Sequence, residues 1–139
     1  MKNFLLIGLL FAISIGVMAD KKKKENKQNT ASNSAEIRTN LHDFMEDYTK
    51  PAMKFFKKSG KNDYLTKIIR EVPSLAIAEE KEDWQKIVDE SLAEGKPENS
   101  CKSCHDIYKK DYKKKNRKRE ILVPQSLIGL DKEIRKASK

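Results

Sequence analysis

Cys101, Cys104 and His105 are the residues whose types and spacing most directly specify chemistry. They stand in the run Cys101-Lys102-Ser103-Cys104-His105, a C-x-x-C-H pattern, the spacing for covalent attachment of a c-type haem. Each thiol can add across one haem vinyl group to form a thioether, and the imidazole that follows can reach the iron as proximal ligand. The chain has two cysteines and two histidines, so the pattern uses both thiols and one of the two imidazoles. Three other readings stand beside it. A zinc site needs two further ligands; His42 is the only other Cys or His, and the adjacent Cys104 and His105 would have to share one tetrahedral ion. A redox dithiol usually opens a helix that follows a strand, and the sequence offers no convincing strand. A structural disulfide suits an oxidising compartment but leaves His105 without a role.

The start of the chain supports the haem reading. Lys2 is followed by an apolar run from Phe4 to Val17, interrupted only by Gly8, Ser14 and Gly16, and Val17-Met18-Ala19 puts small residues before Asp20. This is the pattern of a secretory signal peptide over residues 1–19. The run is short for a membrane anchor, and no cysteine stands at the cleavage point to carry a lipid. C-type haem is attached after export, so a periplasmic protein without an integral membrane span is expected. Removing Lys2 from the 30 basic residues leaves 29 against 21 acidic ones, a formal net charge of +8. That excess suits an acidic protein partner; nucleic acid is a poor fit for an exported protein. The remaining chain is poor in apolar residues, and a porphyrin face would add a large apolar surface to its core.

The elements that must position the motif are helical. Residues 20–34 are a polar, lysine-led stretch without hydrophobic period, expected to be a flexible linker. From Ala35, with Ser34 as N-cap, Ile37, Leu41, Phe44, Met45, Tyr48, Ala52, Phe55 and Phe56 fall on one helical stripe. Pro51 should kink or break this helix near Thr49, and Gly60 should end it. A second helix runs from Asn62 to Pro73 with Leu65, Ile68, Ile69 and Val72 on one face. A third carries Trp84, Ile87, Val88, Ser91 and Leu92 and ends at Gly95. The fourth opens at Pro97 to Ser100 and carries the motif, with Cys101, Cys104, His105, Tyr108 and Tyr112 on one face. Lys102, Lys109, Lys110, Lys113, Lys114, Arg117 and Lys118 are assigned to the opposite face, as a solvated surface or a docking patch for a redox partner. Residues 120–139 form an apolar and basic tail, expected to strap onto the bundle, with a dimer contact or haem cover as the sharper alternative. The fold expected is all-α, a four-helix bundle over 35–119 with covalent haem on its last helix.

The segment from Cys101 to Lys110, C-x-x-C-H-x-x-Y-[RK], resembles the haem-attachment end of the class II c-type cytochromes, the cytochrome c′ and c556 group. The resemblance covers roughly 35–119 and implies a four-helix bundle with haem held between its helices. It implies one haem c bound through Cys101 and Cys104, with His105 on iron and Tyr108 at the same site. In that family an arginine on the first helix lies near a haem propionate, and the residue four positions later faces the distal side of the iron. Arg38 matches the arginine, and His42 stands four residues on, where the family carries methionine or an apolar residue. His42 is therefore the tentative distal ligand implied, with Met45 as the alternative and Met53, after Pro51, behind both. Class II cytochromes are often dimers, so a homodimer is also implied.

Two strong protein ligands would close the iron and make the protein an electron carrier rather than an enzyme. An open distal face would instead make it an NO- or CO-binding protein with incidental peroxidase activity. A haem-free thiol or metal-binding helical module is the reading from a different class.

Overall fold

A computed structural model describes residues 36–139. The signal peptide expected over 1–19, the linker over 20–34 and the Ser34 cap lie outside the described residues. What is described is mostly helical, with one small two-stranded sheet.

The first helix starts later than its apolar stripe suggests. Arg38–Asn40 is a strand, β1, paired antiparallel with β2 (Glu120–Leu122), Arg38 opposite Leu122 and Asn40 opposite Glu120. The Val123 amide donates to the Ile37 carbonyl at 2.8 Å and prolongs the pairing. Ile121 and Val123 are buried while Leu122 between them is exposed, the two-residue alternation of a half-buried strand. Two expectations are corrected here. Ile37 and Arg38 are extended rather than helical, and the chain does contain strands. Asn40 caps the helix instead of Ser34: its side chain accepts from the Asp43 amide at 3.0 Å and donates to the Asp43 carboxylate at 2.7 Å, satisfying an amide that has no partner within the helix.

Helix α1 (Leu41–Phe44) runs into a π-helical turn (Met45–Thr49) and on into α2 (Lys50–Ser59), so residues 41–59 form one rod. Pro51 lacks an N–H and its ring crowds the carbonyl four residues back. The wide turn just before it relieves that conflict without ending the helix. Gly60, at φ 73°, closes the rod with its amide on the Phe56 carbonyl at 2.8 Å, a left-handed cap that costs glycine little.

Helix α3 (Asp63–Glu71) buries Leu65, Ile68 and Ile69, and Val72–Leu75 tightens into a 3-10 turn at Pro73. A second such turn, Ala78–Glu80, leads into α4 (Lys81–Ala93), which buries Trp84, Val88 and Ser91. Helix α5 (Pro97–Lys115) has proline at its start, where a missing N–H costs nothing. After β2, a 3-10 turn at Gln125–Leu127 precedes α6 (Leu130–Ala137). Leu127, Leu130 and Ile134 join Phe44, Leu65 and Ile68 in one hydrophobic cluster. Helix α6 is further tied to helix 41–59 by Arg135 with Asp47 at 3.3 Å and Lys58 to the Ser138 carbonyl at 3.1 Å. Residues beyond 120 thus supply part of the core itself.

Side-chain contacts fix how the helices line up. Phe55 meets Tyr64 edge-on at 5.2 Å, so α3 descends beside helix 41–59. Trp84 packs against Tyr108 at 5.6 Å and Tyr112 at 5.5 Å. Arg119 donates to the Leu75 carbonyl and, at 2.6 Å, to the Tyr112 hydroxyl. The C-terminal end of α5 is therefore level with the end of α3 and with the start of helix 41–59. Among the described residues no helix is long and apolar enough to cross a membrane.

Candidate functional site

Helix 41–59 and α5 run antiparallel, and a cavity of about 680 Å³ lies between them, within the range of ~300–1,000 Å³ usual for small-molecule and cofactor sites. Cys101, Cys104, His105 and Tyr108 line it from α5, and His42, Met45 and Met53 line it from the facing helix. Ile69 and Val72, from α3 and the turn after it, and Trp84 and Val88 of α4 form its apolar back wall. Helical spacing explains the α5 wall: positions 101, 104, 105, 108 and 112 repeat every three or four residues.

Both thiols are free and half-buried. Burial pushes the Cys104 thiol up to about 11, with the neighbouring Cys101 adding to the effect. Burial also raises Cys101, against the opposing hydrogen bond from Ser100. Thiols poised for redox exchange have a lowered pKa; burial raises both of these instead. Desolvation lowers the His105 pKa, the nearby Lys109 charge adds to that, and Asp106 opposes both. Its imidazole is neutral at pH 7, with a ring nitrogen able to bind a metal. Tyr108 donates to Asp83 at 3.3 Å, which fixes α5 to the start of α4.

Arg38 does not join this group. It stands in β1, exposed, paired with Glu120 at 2.8 Å and Glu36 at 3.6 Å, and it is absent from the cavity lining. The reading that set it one helical turn from His42 fails because Asn40 starts the helix after Arg38. Lys109, Lys113 and Arg117 are exposed as expected of a solvated surface, but they lie at the edge of the cavity rather than on the opposite face of α5. With Lys50, Lys54 and Lys57 across the gap they form two basic rails, against a single acid in the lining, Glu46.

Level along the helices separates the facing side chains. Counted at about 1.5 Å per residue from Asn116 on α5 and from Asn40 on the facing helix, His105 lies roughly 16 Å along α5, Met53 about 20 Å along its helix, Met45 about 7 Å and His42 about 3 Å, so Met53 is the facing donor nearest in level to His105. His42 is level with the far end of α5. Met45 is also engaged: Thr49 Oγ1 donates to its sulfur at 3.2 Å.

The donors present fit a covalent haem. Two free thiols and an imidazole share one wall, a thioether stands across from them, and the space between is backed by apolar side chains. Trp84, 3 % exposed, closes the back of that space. Among the described residues no group of three or more His, Cys, Asp or Glu side chains is arranged to hold a metal ion.

Met53 and Trp84 join His42 and Met45 in the lining, and the signal that points to Met53 is the place of the motif at the beginning of its helix. In an antiparallel pair, the beginning of one helix meets the end of the other. The chain matches no protein-family model, no curated protein and no solved structure.

Proposed function

We propose that this protein is an exported c-type cytochrome of the class II kind, a helical bundle that carries single electrons on one covalent haem c. The observation that carries the proposal is that Cys101, Cys104 and His105 line one wall of a cofactor-sized cavity and Met53 lines the other. Cys101 and Cys104 would hold the haem through two thioethers, each formed by addition of S–H across a vinyl double bond, sulfur to one carbon and hydrogen to the other, with no oxidant or reductant consumed. His105 would hold the iron from the α5 side, and the Met53 thioether, nearest to it in level by residue count, would hold it from the facing helix in preference to His42 and Met45. When bound, the haem supplies a one-electron couple, accepting from a reduced partner protein and giving to an oxidised one.

The chain's own residues do the rest. Ile69, Val72 and Val88 exclude water from the porphyrin face, which with the ligand pair sets the potential. Lys50, Lys54, Lys57, Lys109 and Lys113 present positive charge around the opening, suited to an acidic redox partner. A filled sixth position leaves no place for a substrate, and the protein acts as a carrier rather than an enzyme.

The test is the absorption spectrum of the exported, haem-matured protein, oxidised and reduced, with and without CO. The proposal predicts a low-spin spectrum unmoved by CO. A high-spin spectrum that shifts with CO would give the chain to the gas-binding cytochromes c′.

A further inference from the structure

Trp84 touches two tyrosines that stand in opposite electrostatic settings. Its ring centroid lies 5.6 Å from that of Tyr108 and 5.5 Å from that of Tyr112, tilted by 47° to each, within the separation of aromatic rings in contact. All three side chains line the cavity. The Tyr108 hydroxyl donates to the Asp83 carboxylate at 3.3 Å. Burial, then the Asp83 charge and this hydrogen bond, then the Glu80 charge, hold its pKa above the ordinary tyrosine value. The Tyr112 hydroxyl instead accepts from Arg119 at 2.6 Å, and it has only a peptide carbonyl, that of Leu75 at 3.5 Å, to donate to. The Arg119 guanidinium also lies over the Tyr112 ring, 5.8 Å from its centroid. A cation over a ring makes an electron harder to remove from it, whereas a carboxylate beside Tyr108 makes removal easier. Trp84 itself is buried, and its Nε1 has no acceptor among the described residues.

An oxidised phenol is a strong acid, so a tyrosine gives up an electron most easily where a base within hydrogen-bond reach takes its proton. Tyr108 has that base in Asp83, and Tyr112 has none. An oxidised indole whose N–H lacks an acceptor keeps its proton and stays a strong oxidant, so Trp84 passes the charge on instead of trapping it. We infer that Trp84 and Tyr108 form a one-electron relay leading from the cavity to Asp83 at the surface. The oxidant belongs to the peroxide-derived one-electron class. It gains one electron from Trp84, and Trp84 regains one from Tyr108. The Tyr108 O–H bond breaks and its proton passes to Asp83, leaving a neutral phenoxyl radical beside a carboxylic acid. Tyr108 is partly exposed, so a reductant in solution can restore it. The relay goes beyond the electron-carrier reading, because aromatic side chains yield electrons only to strong oxidants. Its effect is to draw oxidising equivalents away from the Met45 and Met53 thioethers, which line the same cavity and are open to oxidation.

The test oxidises the full-length, ferric, haem-loaded protein with ruthenium(III) tris-bipyridine, generated by a light flash with persulfate, and reads the freeze-quenched sample by electron paramagnetic resonance. The expected product is a phenoxyl radical that accepts an exchangeable hydrogen bond, seen by comparing samples in H₂O and D₂O. Tyr108→Phe loses this radical and shows in its place an indole radical that keeps its N–H proton. Tyr112→Phe retains the phenoxyl, and Asp83→Asn lowers its yield about tenfold or more. A phenoxyl signal that persists in Tyr108→Phe, a yield unchanged in Asp83→Asn, or no phenoxyl in the unaltered protein would overturn the inference. The exchangeable bond is read in the unaltered protein, so its absence overturns the inference even where a variant fails to fold. The ferric haem signal stands in the same spectra. Its absence would count against the cytochrome reading, while a radical at Tyr108 would still uphold the relay.

Discussion

Asn40 stands opposite Glu120 in the two-stranded sheet, and this pairing sets which residues of helix 41–59 face which residues of α5. Both helices leave the sheet in the same direction, so residues count downward from a common end. By residue count His105, eleven residues from Asn116, is nearest in level to Met53, thirteen residues from Asn40. His42, two residues from Asn40, lies near the level of Asn116 and Arg117.

The first prediction follows from this register. In the haem-loaded protein, Met53→Leu loses the long-wavelength sulfur-to-iron absorption of the ferric state, becomes high-spin and binds CO. His42→Ala and Met45→Leu keep the low-spin spectrum. Optical spectra of the three variants check this, and loss of the low-spin state in His42→Ala alone would return His42 to the sixth position.

Arg38 is expected to be silent at the haem. Its partners are Glu120 and Glu36 at the exposed edge of the sheet, and hydrogen bonding to Glu120 raises its pKa first of all causes. Arg38→Ala should leave the spectrum and midpoint potential unchanged, and voltammetry of the variant checks it.

The helical part of this fold was legible because its apolar spacing is strong. The core positions Phe44, Tyr48, Ala52, Leu65, Ile68, Ile69, Trp84 and Val88 all lie on the stripes that the sequence marks out. The cavity wall of α5 was legible for the same reason, since Cys101, Cys104, His105 and Tyr108 share one helical face. The strands were not. Arg38–Asn40 and Glu120–Leu122 are three residues each, too short for an alternation to stand out, and Ile37 continues the helical stripe by coincidence of spacing. Mistaking that segment put Arg38 on the helix one turn from His42, whereas it lies in β1 and outside the cavity lining. Pro51 misled more mildly: a π-helical turn absorbs its missing N–H, which propensity alone does not reveal. The role of the rails at Lys109 and Lys113 needed the facing helix, because a charged side chain at the edge of a helical face can lie toward either side.

The tail supports the site from behind the core. Ile134 is fully buried, and truncating it removes packing against helix 41–59. Ile134→Ala should destabilise the protein by about 2–5 kcal/mol, measured by denaturant unfolding of the haem-loaded form. A change within experimental error would mean that α6 is an appendage.

Thiol reactivity separates the haem reading from a thiol oxidoreductase. In the folded chain without haem, Cys104 is pushed up to about 11 and Cys101 is raised as well. The nucleophilic thiolate is therefore scarce at pH 8, and alkylation of Cys104 should be slow there and accelerate as pH rises toward 11. Stopped reactions with iodoacetamide, read by peptide mass, check this; rapid alkylation at pH 7 would indicate an activated thiol.

Intact mass of the protein exported from a host that matures c-type cytochromes, followed by acidified-solvent extraction, tests the central claim most directly. The account predicts a chain heavier by one haem that resists extraction, with the added mass located on the peptide carrying Cys101 and Cys104 and lost when both are replaced by alanine. A chain of unmodified mass, or haem that extracts completely, would contradict it.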